Sequence, residues 1–298
     1  MGRARDKRLC VATLTIGADD LIDLQTHTIH SDGHWQPAEL MAHLAGAGFR
    51  VVAVTDHDEM AYLDEVAKLG REAGVHVVPA VEVTTRWHEH LAHLLCFAER
   101  FSGDALRDLT CATVERQLAN TRAVYDELRR RGYEFPRQDE VLRAQSGQPV
   151  RPIDNATLLH GHGHVPSRAA GLALIRDAGF VSIAADLNEA VAAAHASGGV
   201  ALLAHPGRRG EEFTVYDAAL LDAVRADVPL DGIEVYYPRH TPEQVRAFEA
   251  YSAQHGLLQS AGSDSHGPRQ RLPIAYPAAL ARDLLARCGV LVAERQQA

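Results

Sequence analysis

Asp23-Leu24-Gln25-Thr26-His27-Thr28-Ile29-His30-Ser31-Asp32-Gly33 is the stretch whose reading decides the fold. A β-prone apolar run over residues 21–25 passes into a dense group of polar side chains, and Gly33 lets the backbone turn back on itself. This predicts a strand that delivers His27 and Asp32 together to one end of a sheet. The pattern recurs along the chain, with short apolar runs over 51–55, 75–83, 91–97, 200–204, 232–236 and 258–262. Helical stretches lie between several of them, for instance 37–47 closed by Gly48 and 187–196 closed by Gly198. Seven strands in such alternation predict parallel strands in an α/β fold, closed into a distorted seven-stranded barrel.

The rhythm breaks between residues 99 and 185. Leu106, Val114, Leu118, Thr121, Tyr125 and Leu128 recur at helical spacing and Gly132 ends the run, which predicts one long amphipathic helix. Pro136, Pro149, Pro152 and Pro166 punctuate shorter pieces after it. The expected organisation is therefore a barrel made of 18–98 and 186–298, with 99–185 as a mostly helical insertion capping its mouth.

A chain of 298 residues, 46% hydrophobic and 23% charged, can bury a sizeable core, and it holds no apolar run long enough to cross a bilayer. The opening MGRARDKR is basic but lacks the pattern of a signal peptide. Cys10, Cys96, Cys111 and Cys288 are scattered without a CxxC pair, which fits a reducing compartment, the cytoplasm by default. A net charge of −9 disfavours stable duplex nucleic-acid binding through a basic surface. Seventeen histidines against two lysines, Lys7 and Lys68, are the unusual feature. Solvated surface positions account for about half of those histidines; the others are placed by motif.

The motifs sit at strand ends. Thr55-Asp56-His57-Asp58 follows the second run, Glu82 ends the third and His93 lies in the fourth. Ala204-His205-Pro206-Gly207-Arg208 follows the fifth, and Gly262-Ser263-Asp264-Ser265-His266 the last. Singly, each has a structural reading: His93 as a core histidine, Glu82 as a strand-end carboxylate, His205-Pro206 as a turn. Jointly, at the end of the strands where barrel enzymes keep their chemistry, they read as a metal-ligand set. Imidazole with carboxylate suits manganese, zinc or iron. Arg208 beside this set reads either as a bidentate phosphate grip or as a solvated loop arginine. Asp56 and Asp58 read as orienters of ligand imidazoles, as a proton donor to a leaving group, or as structural carboxylates. Ser263 and Ser265 lack the GxSxG elbow of a serine hydrolase.

These residues resemble the polymerase and histidinol phosphatase (PHP) family over 23–83, His93 and 201–266. The resemblance implies a distorted seven-stranded barrel holding up to three metals: the first on Gln25, His27, Glu82 and Asp264; the second on Glu82, His93 and His205; the third on Asp32, His57 and His266. It also implies phosphomonoester hydrolysis by in-line attack of a metal-bound hydroxide. The expected substrates are a nucleotide, a nucleoside bisphosphate or a short oligonucleotide end, with histidinol phosphate less favoured.

Two departures stand out. The family places His-x-His after the first strand, and Gln25 takes the first of those positions. An amide oxygen is a poorer transition-metal ligand than imidazole, so a weaker first site is expected. In the insertion, where related nucleotide phosphatases carry Arg-x-His, this chain has Ser167-Arg168-Ala169-Ala170, leaving Arg168 as the expected substrate contact. Arg129, Arg130, Arg131, Arg137, Arg143 and Arg151 read as a polyanion receptor or as solvated helix ends, and His160-Gly161-His162-Gly163-His164 as a metal loop or as incidental histidines. Two other functions compete: a non-catalytic metal- or nucleotide-binding module, and an amidohydrolase without the carboxylated lysine, because neither Lys7 nor Lys68 falls at a strand end.

Overall fold

The computed structural model describes residues 14–143, 147–210 and 213–294; Lys7, Cys10 and the basic opening segment lie outside the described residues. The elements in chain order are β1 (Leu14–Ile16), β2 (Leu21–Thr26), α1 (Pro37–Gly46), β3 (Phe49–Val54), α2 (Leu63–Ala73), β4 (His76–Trp87) and β5 (His90–Phe97). Then come α3 (Ala105–Arg130), α4 (Gln138–Val141), α5 (Pro152–Gly161), α6 (Arg168–Asp177), β6 (Ala185–Asp186) and α7 (Leu187–Ala196). The chain continues through β7 (Val200–Leu203), α8 (Ala218–Asp227), β8 (Gly232–Tyr236), α9 (Pro242–His255), β9 (Leu258–Ala261), β10 (Tyr276–Pro277), α10 (Arg282–Arg287) and β11 (Val290–Val292). Two compact units result, one from the chain up to Ala105 joined by Leu187 onward, the other from Leu106–Asp186.

In the first unit the main sheet runs β10, β2, β3, β4, β5, β7, β8, β9. It closes beyond the last strand: Thr26 bridges Ser265, the His27 N–H donates to the Ser265 carbonyl at 2.8 Å, and the Asp264 N–H to the Gln25 carbonyl at 2.9 Å. The seven strands β2, β3, β4, β5, β7, β8 and β9 thus form the distorted barrel that the sequence predicts. One expectation needs correction. The strands are not all parallel, because β5 runs antiparallel to both β4 and β7. Only His88 and Glu89 separate β4 from β5, whereas a parallel return needs a crossover of about a dozen residues. The reversal brings His93, near the start of β5, to the rim where the other strands end.

Alternation on the strands divides the core. Val51 and Ala53 join Leu24, Val78, Ala80, Leu95, Phe97 and Leu202 in one cluster, while Val52 and Val54 pack on Leu40, Met41, Leu44 and Val66 of the flanking helices. Leu40 and Leu44 are wholly buried, so truncating either to alanine should cost about 2–5 kcal/mol. Ile16 and Val290, from a small parallel sheet of β1 on β11, extend the first cluster; the sequence pattern does not foretell this sheet.

The second unit is built on α3, whose 26 residues stop just before Gly132, at φ 91°. Its core joins Val124, Leu128, Phe135, Leu158, Leu159 and Ile175. Ser167 caps α6 by accepting the Ala170 N–H at 3.2 Å, and Arg168 is the exposed first residue of that helix.

Candidate metal centre

Backbone pairing continues past the strand ends and holds the motif loops in place. The Thr55 N–H donates to Thr26, the Asp58 N–H to Glu82 and the Ala204 N–H to His93, each at 2.8–2.9 Å. A register shift in β2 between Asp23 and Thr26 re-aims the side chains there, as bulges beside sites do. Gly33 permits a close approach, since a Cβ at that position would lie 2.5 Å from the His27 carbonyl. Asp58, His205 and Asp264 all have positive φ, at 53°, 31° and 55°. Left-handed backbone at three non-glycine residues of one rim marks strain that the surrounding hydrogen bonds sustain.

The geometry converges on Glu82, buried in β4. Its Oε1 lies 2.8 Å from His93 Nδ1 and 3.1 Å from His205 Nε2. Its Oε2 lies 3.1 Å from His27 Nε2 and accepts from Gln25 Nε2 at 2.9 Å. Asp264 Oδ1 stands 3.4 Å from both His27 Nε2 and His266 Nδ1. The more exposed Asp32 reaches His266 at 3.2 Å and His57 at 4.0 Å. Three groups of potential ligand atoms emerge: His27, Glu82 and Asp264; His57, Glu82 and His93; His27, Asp32, His57 and His266. All nine side chains expected as ligands are gathered here, along with Arg208, whose Nη1 is 3.5 Å from Asp264 Oδ2. Arg168 belongs to the other unit.

Burial opposes ionisation of Glu82, but His57 together with the close approach of His205, His27 and His93 holds its carboxyl well below the usual range. Asp264 is likewise held low against burial, chiefly by His27. Burial depresses His57 and His205, favouring neutral imidazoles, the form that binds a metal. Both nitrogens of His27 and Nδ1 of His57 are buried without a hydrogen-bond partner. Buried lone pairs left unspent beside carboxylates fit divalent cations.

Several neighbours are not picked out by motif reading: Glu234, Tyr237 and Phe213 lie outside any motif, and Asp23 opens the first one as an ordinary strand residue. Glu234 is buried in β8 and accepts the His205 N–H at 2.7 Å; burial lifts its carboxyl well above the usual range. Burial raises Asp23 to about 7 against hydrogen bonds from Ser263, Ile274 and Gln25. The buried Tyr237 donates its hydroxyl to Asp264 Oδ2 at 3.2 Å. Phe213 lies beneath the Arg208 guanidinium, 3.8 Å from carbon to ring centroid. Only the run of aromatics flanking the His205 and Tyr237 loops hints at these last two.

Other candidates have structural duties. Asp56 accepts from the Thr28 N–H, the Thr28 hydroxyl and the Ser31 hydroxyl at 2.6–2.7 Å, so it staples the first motif loop. Asp58 Oδ1 accepts the Thr84 N–H at 2.9 Å, tying the second motif to β4. Ser265 sits between the Trp35 indole and the Arg271 carbonyl, and Ser263 against the Gln25 carbonyl. Lys68 lies on α2, 3.8 Å from Glu72 and well exposed, and cannot bridge metals at the rim. No helix among the described residues is long and apolar enough to cross a membrane.

Comparison with known proteins bears on the family and the fold. A family model described as the PHP domain matches residues 23–170. The chain is 30% identical over 258 residues to the phosphoribosyl 1,2-cyclic phosphate 1,2-diphosphodiesterase of Eggerthella lenta, covering 84% of this chain and 96% of that protein. It is 28% identical to the 3',5'-nucleoside bisphosphate phosphatase of Chromobacterium violaceum, with 83% of this chain and 87% of that one covered, and 28% identical to the 5'-3' exoribonuclease Rnm of Salmonella typhimurium, with 83% and 86% covered. Among solved structures, a metal-dependent phosphoesterase from Bifidobacterium adolescentis superposes with a TM-score of 0.74 at 26% identity, covering 89% of this chain and 96% of that one. A Chromobacterium violaceum structure described as an amidohydrolase with bound sulfate and no metal gives 0.71 at 25% identity over the same shares.

Proposed function

The chain belongs to the PHP family, and from that premise we propose that its substrate is a phosphomonoester borne by a nucleotide, a nucleoside bisphosphate or a short oligonucleotide end. It is a metal-dependent phosphoesterase, a hydrolase of phosphoric ester bonds. The observation that carries the finer reading is Arg208: its guanidinium borders the carboxylate–histidine cluster, and its Nε is buried without a hydrogen-bond partner. A cation with N–H capacity to spare, beside a cation-binding cluster, suits a dianion bound between them.

Two or three manganese, zinc or iron ions fit the described donors, the first on His27, Glu82 and Asp264, the second on Glu82, His93 and His205, the third on Asp32, His57 and His266. When bound, such ions acidify a water and neutralise charge on a phosphoryl group. The protein's own groups do the rest. Arg208 grips a non-bridging phosphate oxygen, and the Phe213 ring holds the guanidinium flat for that contact. Tyr237 fixes Asp264 from the other side. Asp58 keeps the His57 loop in register with the strand that carries Glu82, and in this reading it also stands as the candidate proton donor to the leaving group. Arg168, the exposed first residue of α6, is kept in this reading as the proposed substrate contact. The cytoplasm is the proposed location, supported by Cys96, Cys111 and Cys288 being free thiols.

The test is phosphate release by manganese- or zinc-loaded protein from mononucleotides, nucleoside 3',5'-bisphosphates, cyclic phosphates and 5'-phosphorylated oligonucleotides. Turnover of a monoester is expected. Turnover confined to the cyclic diesters would replace the monoester reading, and no turnover of any would defeat the substrate class.

A further inference from the structure

Position 25 differs from the other rim residues in the type of group it offers. An ionised carboxylate only accepts hydrogen bonds, so the amide facing Glu82 must present its NH2, and Gln25 Nε2 does so at 2.9 Å from Oε2. The amide oxygen is thereby turned away from Glu82, and it is buried without a hydrogen-bond partner. Packing limits rearrangement. A Cβ on Gly262 would stand 2.4 Å from Gln25 Cβ and 2.8 Å from Glu234 Oε1, so the side chain lies pressed against the β9 exit loop. The Gln25 carbonyl in turn accepts the Asp264 N–H at 2.9 Å.

Each carboxylate oxygen has two lone pairs. On Glu82 Oε2, one faces the Gln25 N–H and the other is left for a cation shared with His27 and Asp264. On Oε1, His93 and His205 converge at 2.8 and 3.1 Å, where a second cation would replace the present contacts.

We infer that Gln25 is a positioning residue and not a metal ligand: its N–H pins the carboxylate bridging two cations, and the first cation keeps only three protein ligands, His27, Glu82 and Asp264. The inference rests on the metal-centre reading. It has two consequences. The first cation gains no ligand from position 25, and loss of the amide weakens both cations that share Glu82, since partners behind a ligand commonly contribute about 10–100-fold in metal affinity.

The test compares wild type, Gln25→Leu, Gln25→His and His93→Ala by manganese titration, with bound metal counted by elemental analysis and spin coupling read by electron paramagnetic resonance. Thermal melting in chelator checks that each variant is folded. Wild type should bind at least two ions with an exchange-coupled signal. Gln25→Leu should reach the same count at saturation, but with affinity lowered about 10-fold or more at both coupled ions and the coupling altered. Gln25→His, which adds an imidazole to the first set, should bind one ion more tightly than wild type. Complete loss of one ion in Gln25→Leu, with the others at wild-type affinity, would make Gln25 a ligand and overturn the inference. Wild-type affinities and coupling in Gln25→Leu would overturn it too, by removing any role for the N–H. Failure of the premise looks different: wild type and His93→Ala would bind manganese equally poorly, whatever stands at position 25.

Discussion

The rim histidines and the histidines of the helical unit are the same residue type under opposite obligations. His160, His162 and His164 crowd together in the sequence, yet each is committed to backbone. His162 Nδ1 lies 2.8 Å from the Leu158 carbonyl while its Nε2 accepts the Arg137 N–H at 3.0 Å; His164 Nε2 is 2.8 Å from the Glu134 carbonyl, and His160 Nδ1 3.4 Å from that of Val165. None of the three belongs to a ligand group among the described residues. His27, His57, His93, His205 and His266 come from five separate segments and meet around three carboxylates, Asp32, Glu82 and Asp264, with both His27 nitrogens and His57 Nδ1 unspent. Arginines divide the same way. Arg130 and Arg131 are paired with Glu127, Arg131 also with Asp177, and Arg137 donates to the Gly161 carbonyl, whereas Arg208 retains a buried, unpartnered Nε. Among these histidines, capacity left over after the fold has taken its share distinguishes the site from the scaffold, and density along the chain does not.

The strongest way to break this contrast is at Glu82. Glu82→Gln removes the charge shared by both cation groups and should lower phosphate release by on the order of 10³-fold or more, about 4 kcal/mol of transition-state stabilisation, with metal lost in parallel. Retained activity would show that the convergence on Glu82 is structural.

His240 sharpens the contrast, being a rim histidine with no lone pair to spare: Nδ1 meets the Val235 carbonyl at 2.9 Å and Nε2 accepts the Gly207 N–H at 3.0 Å. Burial depresses it to about 4, so protonation favours the unfolded chain. Its contribution to stability is complete above the unfolded value near 6.5 and disappears as pH falls from there towards 4, a loss of up to about 3 kcal/mol. Denaturant titrations at pH 7 and pH 4.5 should show this slope in wild type and a reduced one in His240→Gln; equal slopes would release His240 from the account.

Arg208→Ala should raise KM for the phosphate ester and lower kcat/KM by about 10–100-fold, the worth of one charge-assisted contact, with metal content unchanged. Arg130→Ala, on the engaged side, should leave both within error. A modest effect is expected at His162→Ala, about 1 kcal/mol of stability from lost backbone hydrogen bonds, with kcat intact. A fall in metal content there would put the helical unit's histidines back among the ligands.

Much of the barrel and its rim is legible in the sequence, for a physical reason. A barrel strand ends where its apolar alternation ends, so Thr55-Asp56-His57, His205-Pro206 and Asp264-Ser265-His266 are marked by what precedes them. The direction of β5 is not legible in the same way because alternation carries no polarity, although the short His88-Glu89 turn holds the answer. β4 continues to Trp87, beyond the expected 83, because its last residues pair with β5 and not with a parallel neighbour. Asp23, Glu234 and Tyr237 cannot be singled out by pattern, since a buried acid or phenol in a strand looks like any polar interruption until its partners are known. Gln25 is visible as a departure, but the direction its amide faces depends on Glu82, which lies 57 residues away.

The most direct test of the central claim is phosphate release from a nucleoside bisphosphate by manganese-loaded wild type beside Glu82→Gln, with metal content determined on the same samples. The account predicts at least two metals and turnover in wild type, and loss of both in the variant. Turnover by a variant that binds as much metal as wild type, or metal-replete wild type that releases no phosphate, would contradict it.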